Sequence, residues 1–180
     1  LSEYMEPQEL GALSSNLLSA VEADISARED WEKIYERGLE LLGVEEDDRT
    51  EPFEGAAGVT HPVLAESVTQ FQAQAYKELL PAGGPVRVQI VGEPNPETEK
   101  QSQRVQDFMN YQICYNMEEY DPELDQLLFY LPLSGSAFKK VYYDPLMERP
   151  CSMFVPSEDF VVSYGASDLK TCPRYTPVSY

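Results

Sequence analysis

The chain has 180 residues, 42% of them hydrophobic, and a formal charge of −19 from 32 acidic and 13 basic side chains. That length suits one domain or a large part of one, with enough apolar side chains for a core. The charge argues against a sequence-independent nucleic-acid binder, whose affinity comes mainly from Lys and Arg neutralising phosphates. The acidic excess is uneven, with 16 acids and 4 bases in residues 1–60. No apolar run approaches the roughly 20 residues of a membrane span, and "LSEYMEPQEL" has neither the basic start nor the apolar run of a secretory signal.

Residues 10–25 read as a first helix, because Leu10, Leu13, Leu17, Leu18, Val21 and Ile25 recur at helical spacing. Ser26 with Glu29 forms a capping-box signature for a second helix over 27–42. Trp31, Ile34, Tyr35, Leu39, Leu41 and Leu42 are its apolar positions, and Gly43 is its expected stop. Residues 45–62 are polar, acidic and glycine-containing, and predict a long loop. Thr60 or His61 is the expected cap of the next helix, 62–80, with Pro62 at its first position. Leu64, Val68, Phe71, Ala75 and Leu79 form one face of that helix, while Gln70, Gln72 and Gln74 fall elsewhere and read as solvated.

"PAGGP", 81–85, breaks this helix. "VRVQIVG", 86–92, alternates apolar and polar residues and predicts a short strand. Asn95 as cap and Pro96 at the first position open a long helix to about 117, with Val105, Phe108, Met109, Gln112, Ile113 and Asn116 as its stripe. Asp121 and Pro122 repeat the device for a helix over 122–131, whose Leu124, Leu127, Leu128 and Leu131 face the core. The period then changes to two. Residues 136–144 and 151–156 predict a hairpin around "DPLMERP", and 157–165 a further strand. The closing "TCPRYTPVSY" suggests no defined element. The fold class expected is α+β, mainly helical, with a small antiparallel sheet in the C-terminal third. The segments divide as a helix pair (1–44), an acidic loop (45–61), a helical core with a short strand near 86–92 (62–135) and a hairpin or sheet segment (136–180). Together they read as one domain or a large part of one.

Chemistry-bearing motifs are few. Cys114, Cys151 and Cys172 are odd in number and include no C-x-x-C pair, so they read as free thiols of a reducing compartment. His61 is the only histidine and has no partner at zinc-ligand spacing. Neither phosphate-binding glycine motif occurs. "LSGSA", 133–137, is not a nucleophile elbow. The run Glu45-Glu46-Asp47-Asp48 lacks the alternating ligands and turn glycine of a calcium loop and reads as solvated. Asp121, Glu123 and Asp125 sit at a helix start, where the helix dipole favours negative charge. Trp31, Tyr111, Tyr115, Tyr142, Tyr143 and Phe154 suggest core or subunit contacts, since no positive groove accompanies them. No catalytic, cofactor-binding or metal-binding residue is assigned.

"EDDRTEPFEGAAGVTHPVLAESVTQFQAQAYKELLPAGGPVRVQIVG" resembles the N-terminal region of portal proteins from short-tailed, podovirus-type bacteriophages. "RVQDFMNYQ", "MEEYDPELDQLLFYLPLSGSAFKKVYYDP" and "FVPSEDFVVSYGASDL" continue the likeness in the same order, over roughly residues 28–175. The resemblance implies the wing region of a structural protein that is no enzyme and needs no cofactor. Such subunits form a homo-oligomeric ring, usually of twelve, at one capsid vertex of the virion, and are made in the host cytoplasm. Viral DNA is packaged and ejected through the ring without sequence-specific binding. The major capsid protein and tail or adaptor proteins are implied partners. The scaffold protein and the terminase would meet regions further along, since portal chains are several times longer. An acidic surface would suit a passage that does not hold DNA tightly. Another head–tail adaptor or scaffold-binding module is the alternative, and a metal-dependent enzyme using Asp47 and Asp48 is the third reading.

Overall fold

A computed structural model describes residues 4–43, 53–55 and 61–176. In chain order its elements are helices α1 (Pro7–Ser26), α2 (Glu29–Leu41), α3 (Val63–Leu79) and α4 (Pro96–Tyr111), a π-helical turn (Gln112–Asn116) and helix α5 (Tyr120–Ser134). Strands β1 (Phe138–Asp144), β2 (Arg149–Val155), β3 (Val161–Val162) and β4 (Arg174–Tyr175) follow. The architecture is α+β, with helices first and small antiparallel sheets in the C-terminal third. The chain forms two compact units, Leu1–Val59 with Pro156–Tyr180, and Thr60–Val155. The segment expected as one block over 136–180 is thus divided between them.

In the first unit, Pro7 opens α1, where its missing N–H is harmless. The capping box expected at Ser26 and Glu29 does not form. Only Ala27 and Arg28 separate the two helices, so Ser26 is held in the last turn of α1 and Arg28 takes the capping position without a side-chain bond. Arg28 instead reaches across the fold. Its Nε meets Glu32 Oε1 at 2.7 Å, and its terminal nitrogens donate to the carbonyls of Ser157 (3.2 Å) and Glu158 (2.7 Å). A guanidinium fork suits such a set of acceptors. Tyr35 is buried and stacks on Trp31 with centroids 5.3 Å apart. Gly43 ends the region as expected, at φ +83°, donating to Glu40 O at 2.9 Å. The strand expected over 157–165 shrinks to β3. It pairs with β4, which lies in the tail that the sequence left without an element. A turn precedes β3, with Asp159 N donating to Pro156 O, and uses up the residues ahead of Val161.

The second unit is built on α3, α5 and the β1–β2 hairpin. Pro62 takes the capping position of α3 and no side chain caps it. His61 offers its carbonyl to Val63 N, and Thr60 lies outside the described residues. Val68, 2% exposed, is the best-buried side chain of α3, and Leu124 and Leu128 are its counterparts on α5. Helix α4 begins as expected. Asn95 Oδ1 accepts from Thr98 N at 2.8 Å, and Thr98 Oγ1 from Asn95 N at 3.0 Å, a complete capping box. The helix gives way at Gln112 to a single π-helical turn, short of the expected 117. Helix α5 starts earlier than expected, at Tyr120, so Asp121 is inside the helix and caps nothing. Leu131 accepts from Gly135 N at the other end, where Gly135 has φ +79°. The hairpin forms as expected, pairing Phe138 with Val155 through to Asp144 with Arg149. Asp144 Oδ1 accepts from Leu146 N at 2.8 Å and fixes its turn.

Among the described residues, the strand expected over 86–92 has no ladder partner. Residues 86 to 91 do alternate half-buried and exposed, as a strand would. Their backbone is held by helix side chains instead. Asn110 accepts from Val86 N (2.9 Å) and donates to Val86 O (3.2 Å), and Gln106, one turn earlier on α4, accepts from Val88 N (3.3 Å). Two amides at helical spacing replace a neighbouring strand. Gly84 makes this possible. It sits at φ +90°, and a Cβ there would lie 2.4 Å from Asn110 Cγ. Gly83 has open space around it and no such backbone constraint. Gly84→Ala is therefore expected to cost about 1–3 kcal/mol, from left-handed backbone strain and displacement of a twice-bonded amide. Gly83→Ala should be nearly neutral. Denaturant midpoints of the two variants check the contrast.

Candidate interaction surface

Four carboxylates at the start of α5 organise the second unit: Glu119, Asp121, Glu123 and Asp125. Residues two apart on a helix point to nearly opposite sides, whereas residues four apart share one. Asp121 and Asp125 therefore turn to α3. Asp121 accepts from the Tyr76 hydroxyl, and Asp125 Oδ1 from Gln72 Nε2 at 2.8 Å. The pairing Gln72–Asp125 and Tyr76–Asp121 makes the two helices antiparallel. Gln72 thus anchors a helix pair and is not merely solvated. The Asp121 bond, with burial adding, pushes the Tyr76 phenol up to about 12.

Glu119 and Glu123 turn to β2. Glu119 accepts from Ser152 N at 3.3 Å and Glu123 from Phe154 N. Four helical residues rise about 6 Å and two strand residues about 6.7 Å, so the carboxylates match the spacing of alternate strand amides. Bonded to these carboxylates, the two amides point away from β1, which makes Ser152 and Phe154 the non-hydrogen-bonded partners of Val141 and Lys139 in the register. Pro150, without an N–H, occupies the next such position. The outer edge of β2 is thereby closed by side chains. Glu119 also binds Arg149 Nη1 at 2.8 Å. That bond, aided by the Ser152 amide and opposed by burial, holds the Glu119 carboxyl at about 2. Arg149 is pushed up by the same bond. Lys139 lies with its ammonium 3.8 Å from the centroid of the Tyr120 ring. Burial lowers its pKa and Glu123 raises it.

Beside this junction lies an open groove of about 610 Å³, lined mainly by Phe108, Met109, Ile113, Tyr120, Val141 and Pro150. The π-helical turn supplies Ile113 and so shapes the groove wall. The expected aromatics divide. Phe154 is buried and stacks on Tyr130 at 5.5 Å, whereas Tyr111 and Tyr115 stack on each other at 5.9 Å and remain exposed, as does Tyr143. All three cysteines are free thiols. Among the described residues, no three His, Cys, Asp or Glu side chains are placed to hold a metal, and no helix is long and apolar enough to cross a membrane. The run Glu45–Asp48 lies outside the described residues.

Sequence reasoning missed Asn110, Gln106, Arg28 and the Glu119–Arg149 pair. Asn110 carried a signal, since an asparagine inside a helix is unfavourable unless its amide has work elsewhere. The other three look like ordinary surface residues until the partner segment is in place. No family model matches the chain, and no curated protein matches it.

Two outcomes follow for this junction. A depressed carboxyl stabilises the fold fully above its unfolded value near 4.5, and that stability is lost as pH falls through about 2. The thermal unfolding midpoint should therefore fall as pH drops from 4.5 to 2. Glu119→Gln should lower stability at pH 7 by about 1–2 kcal/mol and flatten that slope. Ser152 has a wholly buried hydroxyl with no hydrogen-bond partner among the described residues. Ser152→Ala should leave stability unchanged or raise it by about 1 kcal/mol in chemical denaturation, because a desolvation cost disappears.

Proposed function

We propose that this chain is the wing region of a bacteriophage portal protein, a structural subunit that joins copies of itself into a ring at one capsid vertex. DNA passes through such a ring during packaging and ejection, and the tail attaches to it. The reading rests on the ordered series of segments: α3 with its "LLP" break, the 86–92 segment, α4, α5, the "GSAFKKVYYD" hairpin and "VPSEDFVV".

One observation on the folded chain supports a role in assembly. Phe108, Tyr111, Tyr115, Val141, Tyr143 and Leu146 are all exposed, on α4, the π-helical turn and the hairpin, Leu146 at 93%. Exposed apolar and aromatic side chains gathered on neighbouring elements mark surfaces that other chains cover. Ring closure requires heterologous contacts, in which each copy offers two different surfaces.

Native mass by light scattering, with negative-stain images, tests the reading. A closed ring of about a dozen copies with an axial hole is the expected result. A chain that remains monomeric at every concentration would overturn it, and a small closed oligomer bound to tail components would favour an adaptor.

A further inference from the structure

The second unit carries two open backbone edges, and one is shaped to receive the other. The first is residues 86–91. Val86 and Val88 direct their N–H groups to α4, so in this alternating segment Arg87, Gln89 and Val91 direct theirs away from it. Those three residues are exposed, Val91 at 97%. Among the described residues, no hydrogen bond to their backbone groups is formed. The second edge is β1. Its partners Ser152 and Phe154 point their amides outward, so Lys139 and Val141 opposite them do the same on the other side, and Tyr143 follows, facing Pro150. Glu119 and Glu123 close the outer edge of β2, and among the described residues no side chain or backbone group bonds the outward amides of Lys139, Val141 and Tyr143.

We propose that residues 87–91 of one copy pair antiparallel with residues 139–143 of the next, adding a strand to the hairpin across the subunit boundary. Each edge offers three outward residues at the same spacing. An extended edge with unpaired amides is a ready template for a further strand. Charge decides the direction. Antiparallel pairing places Arg87 opposite Tyr143, Gln89 opposite Val141 and Val91 opposite Lys139. Parallel pairing interleaves the outward residues, which sets Arg87 between Lys139 and Val141 and opposite Lys140, and like charges directly across a ladder repel. The two edges differ, so the contact is heterologous and propagates from copy to copy until it closes. This inference rests on the ring reading and specifies the surface that makes the ring.

The test uses proline, which removes one N–H and little else on an exposed edge. Gln89→Pro deletes the central outward donor of the first edge, and Val141→Pro that of the second. Far-UV circular dichroism, with amide exchange at Val86 and Val88, establishes that each variant is folded. Native mass against concentration should show association weakened at least tenfold by either substitution. A mixture of a Gln89→Cys chain and a Val141→Cys chain, both carrying Cys114→Ser, should form a disulfide between copies. If folded proline variants assemble at the wild-type concentration, or the mixed cysteine chains assemble without cross-linking, the strand pairing is wrong and the ring reading stands. If the unaltered chain never associates, both fall.

Discussion

The pairing of two carboxylates with two strand amides is the constraint on which the second unit depends. Glu119 and Glu123 satisfy the outward N–H groups of Ser152 and Phe154, and so fix β2 along the start of α5. A two-stranded hairpin by itself is marginal in water and needs a helix or more strands to hold it. Here the helix supplies hydrogen bonds as well as apolar cover, with Leu124 and Leu128 buried on α5 and Phe154 on β2. The match is metric, because one helical turn nearly equals two strand residues. The same helix start carries Asp121 and Asp125 on its other side, where they hold Gln72 and Tyr76 of α3. One acidic stretch thus sets the places of a helix and a hairpin at once.

Side-chain amides play the matching part for the 86–91 segment. Asn110 and Gln106 stand in for a neighbouring strand and tie that segment to α4. Gly84 lets the backbone come close enough for the first of these bonds. The abrupt passage from helix to alternating chain therefore has a physical purpose. It lays a strand-like segment on a helix with one edge satisfied and one edge presented outward.

The two units reach order by different means. In the first, a single guanidinium, Arg28, gathers Glu32 and the carbonyls that precede β3. In the second, carboxylates and amides on helices accept backbone donors. Apolar burial is modest in both, with Tyr35 and Val161 in one and Val68, Leu124, Leu128 and Phe154 prominent in the other. Polar anchoring of this kind fixes geometry while leaving apolar side chains such as Phe108, Tyr115 and Leu146 at the surface.

Local chemistry made much of this legible in the sequence. Asn95 with Pro96 marked the start of α4, Gly43 the end of α2, and the change of period after Gly135 the hairpin, because caps, glycine stops and alternation depend on residues within a few positions of one another. What only the tertiary structure decided lies where the partners are distant in sequence. Ser26 reads as a cap until the short connection to α2 keeps it helical, and Asp121 reads as a cap until Tyr76 claims it. "VRVQIV" has the pattern of a strand, but pattern cannot say whether another strand or a pair of helix amides will meet its backbone. The sequence by itself determined the helices α1 to α5 and the β1–β2 hairpin, whose signals are local. Contacts between residues tens of positions apart determined what Gln72, Asn110, Glu119 and Glu123 do, because a carboxylate or amide away from a cap or turn has no local preference strong enough to choose its partner.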